Sequence, residues 1–163
     1  MGQEKEKETY LALLEDSLIK KSSILDQLME LTKEQKMIIR AESINEERFH
    51  YIIDQKEVLI EKLLSFDNGF EQIYQHIKDE LSKNKDRYQK EIQRLQELIA
   101  GITDKSVALQ AAERRNKVKL DAYLATKKES IRSFKISNQT ATNYYKNLTG
   151  QHQGQAYFFD QKN

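Results

Sequence analysis

The chain has 163 residues, with no proline, cysteine or tryptophan, only five glycines, charged side chains at 33% of positions and a formal net charge of +1. The lack of proline removes the residue that most often breaks helices, and so few glycines argue against the many turns of a sandwich or barrel. The lack of cysteine excludes disulfides, thiolate metal sites and cysteine nucleophiles.

The first predicted helix covers residues 5–40. Its apolar residues between Leu11 and Leu28 recur at spacings of three, four and seven, which places them in one stripe of an amphipathic helix. The Ser-x-x-Glu pattern formed by Ser43 and Glu46 is typical of a capping box. We therefore expect a second helix to begin immediately after the first.

The second predicted helix covers residues 44–101, because the apolar stripe keeps its phase throughout residues 49–102. The turn signal Asp67-Asn68-Gly69 interrupts it. Phe66 and Phe70 nevertheless lie four residues apart, so they would share a face if the helix continued. A single long helix with a weak point at Gly69 is favoured over two helices that meet there.

The third predicted helix covers residues 104–148, after a break signalled by the glycine and capping residues at 101–104. Residues 149–163 are expected to form a flexible polar tail with an aromatic end, Tyr157-Phe158-Phe159. Short connections between long helices favour antiparallel neighbours. The predicted fold is thus all-α, an elongated antiparallel bundle of three long helices that forms one domain over residues 1–148.

Charge is unevenly distributed along the chain. Residues 41–104 carry nine cations and fourteen anions, whereas residues 105–135 carry nine cations and three anions. If the second and third helices are adjacent, this contrast favours their pairing. The alternative is that both sets of charges lie on solvated faces with an incidental bias.

The residues for common enzyme sites are lacking. The histidines, His50, His76 and His152, stand far apart and outside recognised metal-binding spacings, and no phosphate-binding loop or nucleophile elbow is present. We expect no catalytic activity, no cofactor and no metal. The cations of the third helix could bind nucleic acid phosphates, but Glu113 and Asp121 interrupt them, so nucleic acid binding is not predicted.

Two asparagines fall on the apolar stripes. Asn84 lies between Leu81 and Tyr88, and Asn116 lies between Ala112 and Leu120. A polar residue at a core position often fixes the register of a coiled coil. The alternative is that the stripe faces a groove filled by another protein, whose backbone the amide would bind.

No apolar run long enough for a membrane span and no signal-peptide pattern is visible, so we expect a cytoplasmic location. Four segments together resemble the FlgN-like flagellar export chaperones. They are Ile53–Leu63, Gly69-Phe70-Glu71, the segment Glu113–Lys117 and the ending Tyr157–Lys162.

The resemblance implies a cytoplasmic chaperone of flagellar type III secretion. Such a protein binds the C-terminal helices of hook-associated proteins, prevents their early assembly and delivers them to the export gate. It would be associated with the membrane only through this export apparatus. By this analogy the partner-binding residues are Leu109, Ala112, Asn116, Leu120, Tyr123, Leu124, Ile131 and Phe134 on the third helix, Tyr144 and Tyr145 after them, and Tyr157, Phe158 and Phe159 in the tail. The tail could contact cargo, dock at the gate or mask an empty groove.

A second hypothesis is a structural coiled-coil homodimer or scaffold without a role in export. In such a dimer the apolar stripes of two copies would bury each other. A tight dimer that rejects amphipathic peptides would favour this hypothesis over the chaperone.

Overall fold

A computed structural model describes residues 2–126 together with Gln155, Tyr157 and Phe158. Residues 2–126 form α1 (Gly2–Arg40), α2 (Glu46–Lys83) and α3 (Gln89–Thr126). Two short connections reverse the chain, so α1 and α3 run parallel to each other and antiparallel to α2. Each helix has 38 or 39 residues and is about 57 Å long, which confirms the predicted elongated all-α bundle.

The core is built from residues that alternate at spacings of three and four along each helix, the repeat of coiled-coil packing. In α1 these buried residues are Leu11, Leu14, Leu18, Lys21, Leu25, Leu28, Thr32, Gln35 and Ile39. In α2 they are Phe49, Ile53, Lys56, Ile60, Leu63, Asp67, Phe70, Tyr74, Ile77 and Leu81. In α3 they are Ile92, Leu95, Ile99, Ile102, Ser106, Leu109, Glu113, Asn116 and Leu120. Several polar side chains therefore occupy core positions.

The helix α1 is central to the packing. Its backbone lies close to those of both α2 and α3, whereas within residues 2–126 the backbones of α2 and α3 do not approach each other as closely. The condition for direct pairing of the acidic and basic segments, a close approach of the second and third helices, is thus not met by the backbones of α2 and α3, which both pack on α1. Burial of apolar side chains determines this arrangement, because exposed charges contribute little free energy.

The first helix ends at Arg40 as predicted, but the second begins two residues later than predicted. Asn45, rather than Ser43, is its N-terminal cap, because the side-chain oxygen of Asn45 accepts a hydrogen bond from the backbone N–H of Arg48 at 3.1 Å. The helix then continues without a break through Gly69. This confirms the preference for one helix across the turn signal.

The second connection lies at residues 84–88, so the predicted break at 101–104 is wrong. Asn84 ends α2, and both its backbone N–H and its side-chain amide donate to Glu80. The Tyr88 hydroxyl also donates to the Glu80 carboxylate, and Lys7 pairs with that carboxylate at 3.1 Å. Asn84 is accordingly an exposed cap and not a core residue.

Gly101 lies inside α3, where a Cβ atom would meet nothing within 4 Å, and the same holds for Gly69 in α2. We expect Gly69→Ala and Gly101→Ala each to raise the free energy of unfolding by about 0.5–1 kcal/mol, since alanine favours a helix interior. Urea unfolding followed by circular dichroism would measure the change. A loss of stability in Gly101→Ala would indicate that the chain turns at this glycine after all.

Candidate partner-binding site

The face of the third helix that was predicted to bind cargo is part of the core. Leu109, Asn116 and Leu120 are only 0%, 3% and 1% exposed, and Ala112, Tyr123 and Leu124 are half-buried. Leu120 packs with residues of α1 and α2, including Ile39 and Phe49. This face is therefore covered within the chain and is not an open surface. Of the other predicted contacts, Ile131, Phe134, Tyr144, Tyr145 and Phe159 lie outside the described residues.

A layer of polar side chains crosses this part of the core and joins all three helices. The Lys56 ammonium on α2 donates to Gln35 on α1 at 2.6 Å and contacts the Glu113 carboxylate on α3. The Thr32 hydroxyl donates to the same carboxylate oxygen at 3.0 Å. Asn116 donates to the backbone carbonyl of Thr32 at 2.9 Å. These contacts support the interpretation that Asn116 fixes register.

The charges in this central polar layer are almost completely removed from water. Burial lowers the pKa of Lys56, and the adjacent Glu113 carboxylate partly offsets that effect. The second carboxylate oxygen of Glu113 has no hydrogen-bond partner among the described residues. A buried ion pair adds little net stability. We therefore interpret the layer as a device that holds the three helices in one register.

A second buried polar cluster forms where the C-terminal segment meets the bundle. Lys21 on α1 pairs with Asp67 on α2 at 2.6 Å, and each side chain is 1% exposed. The carboxamide of Gln155 contacts both charges: its oxygen accepts from Lys21 at 3.1 Å, and its nitrogen donates to Asp67 at 2.9 Å. One neutral side chain thus bridges a cation and an anion.

Four aromatic rings, those of Phe70, Tyr74, Tyr157 and Phe158, pack together where the same segment meets α2. Phe158 is fully buried, with its ring centroid 6.0 Å from that of Phe70 at 82° and 6.0 Å from that of Tyr74 at 72°. Tyr157 lies 5.6 Å from Tyr74. Edge-to-face contacts of this kind stabilise a cluster beyond the burial of area alone. For Gln155, Tyr157 and Phe158 the structure therefore differs from the expected flexible tail, since all three are helical and packed.

The fit of Tyr157 is incomplete. Its hydroxyl is buried without a hydrogen-bond partner among the described residues, and burial raises its pKa. The pKa of Tyr74 is also raised, first by burial and then by Tyr157 and nearby carboxylates. An unpaired buried hydroxyl costs about 1–3 kcal/mol, so the segment binds less tightly than its shape would allow.

We call Lys21, Asp67, Phe70 and Tyr74 the docking site, and the described residues Gln155, Tyr157 and Phe158 the docked segment. The docking site belongs to α1 and α2, and the docked segment comes from far along the chain. Sequence reasoning missed Lys21 and Asp67, although both occupy core positions of the three-and-four repeat. A charged residue in phase with the leucines of each helix was the signal that could have identified them.

Metal sites and membrane spans were sought among the described residues. Within the described residues no group of three or more His, Asp or Glu side chains is placed to hold a metal ion. No helix in this part of the chain is long and apolar enough to cross a bilayer. Comparisons with protein-family models, curated proteins and solved structures found no match.

The central polar layer predicts an asymmetric response to substitution. Lys56→Met alone should lower the free energy of unfolding by about 3–5 kcal/mol, because it leaves the Glu113 carboxylate buried without its cation. The double variant Lys56→Met with Glu113→Leu should recover most of that loss. Urea unfolding measures both, with Lys62→Met on the exposed face of α2 as the matched control. Equal losses in the single and double variants would contradict this account.

The docked segment predicts a local response. Phe158→Ala should raise the rate of amide hydrogen exchange in residues 155–158 by at least about tenfold, because truncating a buried phenylalanine costs about 3–5 kcal/mol. Mass spectrometry of deuterated peptides measures this rate. Tyr51→Ala, which truncates an exposed aromatic residue on α2, serves as the control. Unchanged exchange in Phe158→Ala would show that the ring does not hold the segment.

Proposed function

We propose that this protein is an export chaperone of the kind indicated by its resemblance to the FlgN-like family. It binds the C-terminal amphipathic helices of hook-associated flagellar proteins, prevents their early assembly and delivers them to the export gate. The observation that carries the proposal is the docking site, in which the bundle buries a short aromatic helical segment. A partner helix would occupy that site in place of residues 155–158.

The construction of the docking site supports this choice. The core cluster is formed mainly by the repeats of the three helices, and Phe158 joins it from a separate stretch of the chain. Phe158 contributes a fully buried ring, and Gln155 contributes two hydrogen bonds to a buried ion pair. A short helix on a separate stretch of chain can be exchanged for another helix without unfolding the elements that bind it.

The chemistry of an export cargo fits such a site. An amphipathic terminal helix that normally packs in a polymer exposes apolar surface when free, which favours premature association. Burying that surface against the chaperone yields about 25 cal/mol per Å², and the costs of association and ordering consume much of it. Micromolar to nanomolar affinity with reversible release is the expected result.

Among the three roles considered for the tail, the contacts favour masking of the docking site. The docked segment already covers the aromatic rings that a partner would use. Because it is tethered, it competes at an effective concentration in the millimolar range, so a partner must bind better than this segment to displace it. The protein would then expose its docking site mainly when cargo is present.

The proposal is tested with a synthetic peptide that carries the C-terminal helix of a hook-associated protein from the same organism. Isothermal titration calorimetry should give a one-to-one complex with the full chain. Phe158→Ala should bind the peptide at least about tenfold more tightly than the unchanged chain, because the competing segment is weakened. Tyr51→Ala should leave the affinity unchanged.

Three outcomes would contradict parts of this proposal. Weaker binding by Phe158→Ala would make the tail a cargo contact and not a mask. Absence of binding by both chains would remove the export role. Sedimentation that shows a tight dimer unable to bind the peptide would favour the alternative of a structural homodimer or scaffold.

A further inference from the structure

The docking site contains a buried ion pair, Lys21–Asp67, that is bridged by the Gln155 carboxamide from outside the three helices. Lys105 contacts Ser22 and Asp26, so this part of α3 lies level with Lys21. The core residues of α3 around that level include Ile99 and Ile102, which are apolar, and Ser106, whose hydroxyl donates to the backbone carbonyl of Ile102 on its own helix. The bridge between Lys21 and Asp67 comes instead from Gln155. In the central polar layer, by contrast, α3 supplies Glu113 and Asn116.

The chemistry of a group that bridges this ion pair is restricted. It must accept a hydrogen bond from the Lys21 ammonium and donate one to the Asp67 carboxylate, and both groups are buried. A carboxamide does both with one planar group and brings no charge. A carboxylate would lie against Asp67, an ammonium would lie against Lys21, and an aliphatic side chain would leave both charges without this hydrogen bond.

The spacing of the docked segment adds a second requirement. Gln155 and Phe158 are three residues apart in a helical segment, so their side chains project from the same face. The amide therefore meets the ion pair while the ring meets Phe70 and Tyr74. A ligand that supplied only one of these groups would use half of the docking site.

The position of Tyr157 indicates how a partner could outcompete the tail. Its hydroxyl is buried without a partner among the described residues, so a side chain that keeps the ring and lacks the hydroxyl would fit better. The docked segment is thus a ligand with one identifiable defect. A partner without that defect gains affinity at the same site.

We propose that the docking site selects helical segments of the form Gln or Asn, two further residues, then an aromatic residue, with an apolar residue preferred immediately before the aromatic one. This inference rests on the proposed function for the identity of the natural partner, and it defines which part of a cargo helix is recognised. The selectivity itself is a property of Lys21, Asp67, Phe70 and Tyr74.

The selectivity is tested with peptides that copy residues 151–163, added to the full chain carrying Phe158→Ala so that its own segment competes weakly. Fluorescence anisotropy of the labelled peptides measures affinity. Gln155→Leu and Gln155→Glu in the peptide should each weaken binding at least about tenfold, because a buried charge loses its hydrogen bond. Gln155→Asn should retain more affinity than either, and Tyr157→Phe should bind about fivefold or more tightly.

A reversal experiment separates recognition of the ion pair from a general effect of the peptide. In a full chain with Phe158→Ala and the apolar pair Lys21→Met and Asp67→Leu, the Gln155→Leu peptide should bind at least as tightly as the Gln155 peptide. Such replacement of a buried ion pair commonly preserves the fold, which circular dichroism checks. The matched control is Lys20→Met with Asp16→Leu, an exposed pair on α1 that should leave the preference for glutamine intact.

The outcomes distinguish this inference from the proposed function. Equal binding of the Gln155 and Gln155→Leu peptides to the chain with the intact ion pair would overturn the selectivity, whatever the cargo proves to be. Binding of a hook-associated helix that contains no amide and aromatic residue at this spacing would also overturn it and leave the export role standing. Glutamine-dependent binding of the copied segment, with no binding of hook-associated helices, would support the selectivity and reject the export role.

Discussion

The Lys21–Asp67 ion pair in the core of the bundle is the interaction that links the fold to its proposed use. A charge taken out of water costs several kcal/mol unless its partner and its remaining hydrogen bonds compensate. α1 and α2 supply the two charges, and the Gln155 carboxamide bridges them. This bridge and the burial of the Phe158 ring together hold a segment from far along the chain against α1 and α2.

The two buried polar clusters differ in the origin of their members. The central polar layer takes its side chains from the three helices, so its contacts form when the bundle folds. The docking site takes its third member from residues 155–158. The central layer joins the three helices in one register. Under the proposed function, the docking site would instead exchange its occupant for a partner helix.

Much of the fold could be predicted from periodicity, since the repeat of apolar residues identifies three helices and their inward faces. The turn at residues 84–88 escaped prediction because Leu81 and Tyr88 stand seven residues apart, so the phase continues across it. Gly101 was misleading because a glycine followed by capping residues is typical of a helix end. In the structure Gly101 lies inside α3, at a position where even a Cβ atom would meet no neighbour within 4 Å.

The candidate site was harder to predict than the fold. Periodicity marks a stripe as apolar, but it does not say whether the stripe is covered by the same chain or by a partner. Leu109 and Leu120 are covered by the same chain, because α1 and α2 reach them. The aromatic ending was recognised as unusual, yet its binding place depends on Lys21 and Asp67, which composition alone presents as ordinary surface charges.

The proposed exchange of one helix for another sets its own limits on affinity. If the docked state is about 10 to 100 times more populated than the undocked state, the apparent affinity of a partner is reduced by about the same factor. A partner with the same amide and ring but no buried unpaired hydroxyl gains about 1–3 kcal/mol, or roughly 5- to 150-fold, over the segment. The reduction caused by the competing segment and the gain from a partner without the hydroxyl are therefore of about the same size. Binding of cargo and its later release would then proceed by exchange, with an amide bridging the Lys21–Asp67 pair in both states.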